Sequence, residues 1–513
     1  MTFLKKEKQH LGAYFCFFCF TVYFTLTTAY FPFSARHLGF DQGVFSYVGL
    51  AMSRGLVPYL QAWDNKGPLL YVINMTAQLL HYEYGMFPIE MVTLFFTMAL
   101  LYKGALLLTA NKPLAATSAA FPMMLLSICL QGGNMSEEFS LPFLALIMYY
   151  AVRFYVQGQT LGRLPMFWVG VSVGAVFLLR VNNLAFPVAI ALTMIYTLCK
   201  AKRWAMLGRV ILWVVVGFAC MAAPFFVYLA AHGALWAYAQ AALFTLSSFT
   251  HPGKLQSLKN IHDMLVGANI TGLLPVSIVF LVLLPAWGIA RRRLPERLYY
   301  PLWFCFWGML LNLALNSLSG YGFYHYCMTF IPILALPLAW MLHGVYQALH
   351  KLTASGLKSA ALLIAAVFFL SFDSFTYTTD FIIGNVRERN GPYNSMPYLT
   401  DYILSATEET DRIQLIGKSA APAMYYHTKR LAASKYFYTE IPAFTPELVQ
   451  EAQEDVAASI LREKPKLILF AKENERDAFV QSVEEGFGMA EYLARHYQQQ
   501  ENVPNYYIAY LRR

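Results

Sequence analysis

Long apolar runs alternate with short polar segments through the first three quarters of the chain. A helix needs about 20 predominantly apolar residues to cross a bilayer. Runs of about that length lie at 11–33, 87–108, 114–131, 139–156, 164–179, 184–199, 210–231, 273–289, 299–318, 327–342 and 357–375. The first run lacks a small-residue cleavage site, so we interpret it as a retained span. The pattern predicts a polytopic α-helical membrane protein with about 11 transmembrane helices.

The distribution of positive charge predicts the orientation of these spans. Lysines and arginines cluster at 5–8, 200–209, 291–297 and 351–358, in every second segment between the predicted spans and therefore on one side of them. Basic loops favour the cytoplasmic side. The net charge of +9 therefore reports membrane orientation, and we expect no nucleic-acid partner. We predict a protein of the bacterial cytoplasmic membrane, with a cytoplasmic N-terminus and an extracytoplasmic C-terminus.

The first external loop, 34–85, contains two further predicted helices. Phe45, Val48 and Met52 recur at helical spacing, which predicts an amphipathic helix over 44–54 lying parallel to the membrane. The apolar segment 68–80 is too short to cross a bilayer comfortably, so it is predicted as a re-entrant or interfacial helix, with a full span as the alternative. A later external loop, 235–265, is predicted to contain another amphipathic helix.

From about residue 385 the composition is that of a soluble domain. Short apolar segments at 413–416, 467–470 and 506–511 predict strands, and 446–462 and 475–485 predict helices. We predict two domains: a transmembrane catalytic domain over 1–384 and a small extracytoplasmic α/β domain over 385–513.

The first external loop also carries the candidate chemistry. Asp41 follows the first span, and Tyr59, Asp64 and Lys66 precede Gly67-Pro68. A carboxylate can accept the proton of an attacking hydroxyl, and a lysine can offset the charge that develops on a leaving phosphate. The alternatives are a solvated aspartate, a lysine that snorkels to the headgroups, or an Asp64–Lys66 pair that only holds the loop.

Three elements of this loop, D-x-x-x-x-x-Y from Asp41, G-x-x-P-Y from Gly55 and W-D-x-K-G-P from Trp63, resemble the first external loop of GT-C glycosyltransferases. The resemblance covers the membrane part and is closest to the bacterial branch grouped with protein O-mannosyltransferases and the aminoarabinose transferase of lipid A. It implies a GT-C-like fold and an inverting transfer from a polyprenyl-phosphate sugar. By this resemblance Asp41 matches the catalytic acidic residue and Lys66 matches the lysine that contacts the donor phosphate. Gln42 and Gly67 depart from the patterns of the two named groups.

Other polar groups lie at the outer ends of predicted spans. Glu137 and Glu138 could orient the acceptor, bind a divalent cation or hold Lys66 or Arg180; the alternative is a solvated turn that caps the next helix. Arg180 could contact the donor phosphate or anchor a span at the headgroups. His325 could contact the sugar or phosphate, or belong to an interfacial aromatic cluster that includes Tyr321, Tyr324 and Tyr326.

These features predict an inverting glycosyltransferase with a polyprenyl-phosphate-linked sugar as donor and membrane lipid as its surroundings. The acceptor would be a hydroxyl of a cell-envelope glycan, glycolipid or protein. No nucleotide-binding motif occurs in the sequence, and no cofactor is predicted beyond the cation left open at Glu137 and Glu138. Two alternatives remain: a lipid-linked oligosaccharide ligase or polymerase, and a membrane transporter or flippase. The absence of a sequence repeat speaks against the latter.

Overall fold

The computed structural model describes residues 7–34, 38–244, 259, 262, 295–317, 323–387, 395–417, 421–439, 446–472, 478–501, 503 and 507–513. In the membrane part its α-helices are α1 (Leu11–Thr25), α2 (Phe40–Ser53), α3 (Pro68–Leu80), α4 (Met86–Thr109), α5 (Lys112–Ala120), α6 (Leu126–Cys129), α7 (Ser136–Val156), α8 (Arg163–Leu179), α9 (Ala185–Lys200), α10 (Trp204–Ala231), α11 (Leu235–Tyr238), α12 (Glu296–Ser317), α13 (Phe330–Thr353), α14 (Gly356–Leu370) and α15 (Phe372–Arg387). Towards the C-terminus follow α16 (Ser395–Ala406), α17 (Ala421–Thr428), α18 (Pro446–Glu463), α19 (Ala478–Glu485), α20 (Met489–His496) and the strands β1 (Arg412–Ile416), β2 (Leu431–Ala432), β3 (Leu467–Ala471), β4 (Tyr497–Gln500) and β5 (Tyr507–Arg512).

Within these described ranges, seven helices are long and apolar enough to cross a membrane: Met86–Thr109, Lys112–Cys129, Ser136–Val156, Val181–Lys200, Trp204–Ala231, Glu296–Ser317 and Tyr324–Thr353. The pair Gly356–Leu370 and Phe372–Val386, bent by 56°, raises the number to eight if it forms one broken span. The chain is therefore a mostly helical, multi-pass membrane protein. The count of 11 stays a prediction, because α1 and α8 are shorter and 273–289 lies outside the described residues. Most of the helix predicted within 235–265 and Tyr321 also lie outside them.

The helices fall into two compact units, of which the first contains Met1–Phe31, Phe87–Phe225 and His251–Gly384. Glycines allow its helices to pack closely. Gly174 lets α8 pack closely against α10, because a Cβ at this position would lie only 3.0 Å from the Cβ of Met221. After the C-terminal end of α1 the backbone N–H of Ala29 donates to the carbonyl of Gly132 at 2.9 Å, so the segment after α1 is held against the loop that precedes α7.

The second unit contains Pro32–Met86, Phe226–Thr250 and Asn385–Arg513. Its sheet has the order β2-β1-β3-β5-β4; β1 pairs in parallel with β2 and β3, and β5 pairs antiparallel with β3 and β4. All five residues of β3 are buried, as expected for a central strand covered on both faces. The predicted strands at 413–416, 467–470 and 506–511 correspond to β1, β3 and β5. The division at residue 384 stays a prediction.

Helix α2 differs from its prediction in where it begins and in what it buries. It begins at Phe40, after the extended residue Gly39, so Asp41 lies in its first turn and not before the helix. Its residues from Gln42 to Ala51 are buried, because Gly43 allows close contact with Ala423 of α17 and Gly49 allows close contact with Asn74 of α3. The helix is thus packed against protein on both of these sides, and its orientation relative to a membrane stays a prediction.

Candidate active site

Asp41 is a half-buried carboxylate at the start of α2. A negative charge is favoured in the first turn of a helix, where backbone N–H groups have no partner within the helix. Its side chain forms no hydrogen bond or ion pair with any other residue that the structure describes. The ring of Tyr438 lies edge-on to that of the neighbouring Phe40, with centroids 5.4 Å apart. The Asp41 carboxylate can therefore accept hydrogen bonds from another group.

Lys66 is half-buried, and its ammonium has no carboxylate partner within the described part of the chain. Its Nζ donates to the Oδ1 of Asn65 at 2.8 Å and lies 5.7 Å from the centroid of the Phe45 ring. The alternative of an Asp64–Lys66 pair is therefore wrong. An ammonium has three N–H donors, and because one of them contacts the neutral amide of Asn65, two remain for another group.

Two tyrosine hydroxyls donate hydrogen bonds to the carboxylate of Asp64, a residue that is only 3% exposed. Tyr71 of α3 donates to Oδ2 at 2.7 Å, and Tyr438 donates to Oδ1 at 2.9 Å. Burial, followed by the charge of Asp64, raises the pKa of Tyr438 well above its usual value, so this phenol stays protonated and remains a donor. A buried charge is tolerable when it is hydrogen-bonded in this way.

The backbone of Lys66 is held as firmly as the side chain of Asp64. Tyr59, which has a φ of 69°, donates its hydroxyl to the Lys66 carbonyl at 2.8 Å. The Lys66 N–H lies 3.2 Å from the Tyr71 hydroxyl. Burial raises the pKa of Tyr59 well above its usual value, so its hydroxyl also remains a donor. Tyr59 and Asp64 thus support the turn that presents Lys66.

In the first unit, Arg180 and Glu137 form an ion pair. Their side chains are 12% and 2% exposed, and the guanidinium also lies over the Tyr326 ring, 4.1 Å from its centroid. The sequence left several roles open for Glu137, and the structure shows the one in which Glu137 holds Arg180. The idea of a solvated turn is wrong, because Glu137 and Glu138 are both buried. The burial of Arg180 also speaks against a headgroup anchor.

Glu138 lies beside Glu90 of α4, a carboxylate that is not among the residues predicted from the sequence. Both are fully buried and interact electrostatically. Glu138 accepts the Met135 N–H, so it does cap α7, and Glu90 accepts the Asn134 N–H at 2.9 Å. Among the described residues, Glu90 Oε2 and Glu138 Oε1 have no hydrogen-bond partner. The signal for Glu90 was present in the sequence, since an ionisable residue inside an apolar span marks a functional site by default.

His325 is buried in an aromatic cluster. Its Nδ1 lies 2.9 Å from the Oε1 of Gln131, its ring stacks on Phe323 and it meets Tyr326 edge-on. Across the described ranges, no group of three or more His, Cys, Asp or Glu side chains could hold a metal ion.

The predicted site residues are divided between the two units. Asp41, Tyr59, Asp64 and Lys66 belong to the second unit, and Glu137, Glu138, Arg180 and His325 belong to the first. Tyr71 and Tyr438 were missed. Tyr71 follows the W-D-x-K-G-P motif closely enough to have been suspected, whereas Tyr438 lies 374 positions from its partner Asp64.

Comparison of the sequence with protein-family models and with curated proteins gives no match. The structure, in contrast, is similar to ArnT from Cupriavidus metallidurans bound to undecaprenyl phosphate, with a TM-score of 0.57 and 12% identity over 95% of this chain and 96% of that one. It is similar to the Archaeoglobus fulgidus oligosaccharyltransferase in the apo form, with a TM-score of 0.53 and 12% identity over 99% of this chain and 76% of that one. It is also similar to the archaeal oligosaccharyltransferase AglB from Archaeoglobus fulgidus in complex with an inhibitory peptide and a dolichol-phosphate, with a TM-score of 0.52 and 10% identity over 99% of this chain and 74% of that one.

ArnT, the lipid A aminoarabinose transferase, and AglB both belong to the GT-C superfamily. The similarity extends over nearly the whole chain in each comparison. It agrees with the resemblance of the first external loop, which is independent of the fold. This chain is a multi-pass membrane protein with the GT-C fold.

Proposed function

We propose that the protein is an inverting glycosyltransferase that moves a sugar from a polyprenyl-phosphate donor to an acceptor hydroxyl on the outer face of the cytoplasmic membrane. The observation that carries this proposal is Lys66, a half-buried ammonium without a carboxylate partner in the described chain. Such a cation is suited to an anionic ligand, because opposite charges attract each other more strongly in poorly hydrated surroundings than in water. Structural neighbours bound to undecaprenyl phosphate and to a dolichol-phosphate support a lipid phosphate as that ligand.

The reaction is a single displacement. The acceptor oxygen attacks the anomeric carbon, and the bond from that carbon to the phosphate oxygen breaks with its electron pair going to the phosphate. Asp41 accepts the proton of the attacking hydroxyl. The transition state has the oxocarbenium character of glycoside cleavage, and Lys66 offsets the charge that grows on the departing phosphate. Polyprenyl phosphate and the glycosylated acceptor are the products.

Arg180, in the first unit, is a further candidate for a phosphate contact. Its guanidinium has five N–H donors, of which Glu137 occupies part, so donors remain for a phosphate. In this proposal Glu137 keeps the guanidinium oriented, and Glu138 and His325 support the surrounding loops. The acceptor belongs to a cell-envelope glycan, glycolipid or protein, and the segment 385–513 lies outside the cytoplasm.

A second candidate function is the transfer of an oligosaccharide from a lipid carrier, which the similarity to the Archaeoglobus fulgidus oligosaccharyltransferase favours. This reaction uses the same fold and an anionic leaving group, and differs in the size of the donor sugar.

Purified protein supplied with polyprenyl-phosphate monosaccharides and a membrane extract as acceptor source tests the proposal. We expect release of polyprenyl phosphate that depends on Asp41 and Lys66. Consumption of lipid-linked oligosaccharides alone would favour the second candidate. Movement of lipid across vesicles without any bond cleavage would identify a flippase and overturn the proposal.

A further inference from the structure

The C-terminal segment 421–439 forms hydrogen bonds with the loop that carries Lys66. Tyr438 donates to Asp64 Oδ1 at 2.9 Å, and the Trp63 N–H donates to the Lys435 carbonyl at 2.9 Å. These bonds join residues more than 370 positions apart to the W-D-x-K-G-P motif. The segment is therefore part of the wall around this loop.

A second set of contacts holds the same segment against α2 and the end of α3. The Ala432 N–H donates to the Tyr47 hydroxyl at 2.9 Å, and the hydroxyls of Tyr82 and Tyr426 each donate to the other residue's carbonyl. Tyr47 is the tyrosine of the D-x-x-x-x-x-Y motif that begins at Asp41. Two motif elements of the first external loop thus contact one short C-terminal segment.

The bond from Tyr438 has a specific electrostatic consequence for Lys66. Asp64 lies two positions before Lys66 and is buried, so it is the carboxylate best placed in the sequence to neutralise the ammonium. Instead, one of its oxygens accepts a hydrogen bond from Tyr71 and the other accepts one from Tyr438. With a hydrogen bond at each oxygen, Asp64 has less to gain from a turn towards Lys66, and the ammonium has no carboxylate partner among the described residues.

We propose that Tyr438 is a positioning residue of the donor-phosphate site: its hydroxyl holds Asp64 away from Lys66 and so keeps the Lys66 ammonium available to the phosphate. The C-terminal segment then acts as a structural part of the donor site, in addition to any role in acceptor recognition. This inference rests on the proposed function.

Binding of undecaprenyl phosphate to the purified full-length protein tests the inference. We expect Tyr438→Phe to weaken the affinity about tenfold, the effect of losing one hydrogen bond to a charged group. The matched control is Tyr436→Phe, because Tyr436 lies in the same segment and donates to a different carboxylate, Glu451, at 3.0 Å. The control should bind as the native protein does. An equal loss in both variants, or native affinity of Tyr438→Phe, would overturn the inference.

The double variant separates a positioning role from a general loss of structure. If Tyr438 acts through Lys66, adding Tyr438→Phe to Lys66→Ala should change the affinity less than about twofold, since contacts within one network are not additive. A further tenfold loss in the double variant would overturn the inference. Native affinity of Lys66→Ala would overturn the proposed function itself, whereas weak binding by Lys66→Ala with native binding by Tyr438→Phe would overturn only the role of Tyr438.

Discussion

The ion pair between Arg180 and Glu137 gives the sharpest prediction for the first unit. We consider three variants: Glu137→Gln, Arg180→Met and the two combined. Arg180 keeps its charge at any accessible pH, so Glu137→Gln leaves a buried cation opposed mainly by the ring face of Tyr326. Arg180→Met leaves a carboxylate that can take up a proton. The two single substitutions should therefore lower the free energy of unfolding by different amounts.

The burial of the pair sets the magnitude. Removing one partner of a buried ion pair costs about 3–5 kcal/mol, and the 12% and 2% exposure of these side chains places them close to that case. The glutamine oxygen still accepts a hydrogen bond, so we expect about 2–4 kcal/mol for Glu137→Gln, near the lower part of that range. Arg180→Met should cost about 1–3 kcal/mol, because protonation relieves the remaining charge. The double variant should lie within about 1 kcal/mol of the native protein.

Thermal unfolding in detergent, followed by tryptophan fluorescence, measures this order. The midpoint should be lowest for Glu137→Gln, higher for Arg180→Met and close to native for the double variant. A double variant no more stable than Glu137→Gln would refute the reasoning that charge imbalance causes the loss. The double variant also tests the phosphate role of Arg180, because it is folded but lacks the guanidinium. We expect its transfer rate to fall at least about tenfold, and a native rate would restrict Arg180 to a structural role.

Asp41→Asn should slow transfer about 10²–10⁴-fold and leave undecaprenyl-phosphate binding intact; near-native turnover would exclude Asp41 as the base. A cysteine introduced at the exposed position Gln450, in a background without the seven native cysteines, should react with an impermeant thiol reagent added to intact cells, and labelling only after lysis would reverse the predicted topology. Gly133→Ala should lower the unfolding midpoint more than Gly158→Ala. Both glycines have a positive φ, but a Cβ at Gly133 would overlap Glu90 Oε1, whereas the surroundings of Gly158 are open; equal shifts would show that the Glu90 contact contributes nothing.

The sequence predicted the features that depend on local pattern. Apolar runs predicted the positions of the long helices, and the short apolar segments around Leu415 and Leu469 predicted β1 and β3. Strand β4, with the sequence Tyr-Gln-Gln-Gln, was missed because it is an edge strand with two exposed glutamines. Its pairing with β5 depends on tertiary contacts that no local pattern encodes.

In the candidate site, too, some features follow from local sequence and others depend on tertiary contacts. Lys66 and Asp64 could be identified from one short motif, but the sequence could not decide whether they pair with each other. That depends on Tyr438, which the fold brings to Asp64 from the far end of the chain. The burial of Glu138 likewise depends on tertiary contacts, with the loop around Gly133 and with Glu90. In that loop, positive φ values at successive residues curve the backbone around the carboxylate of Glu90.

The lipid that co-purifies with Asp41→Asn is the most direct test of the proposed function. Loss of the base should halt the reaction after the donor has bound, so the variant should retain its donor through purification. Mass spectrometry of the extracted lipid should then identify a polyprenyl phosphate that carries a single sugar. A polyprenyl pyrophosphate with an oligosaccharide, or a lipid without phosphate, would contradict the account.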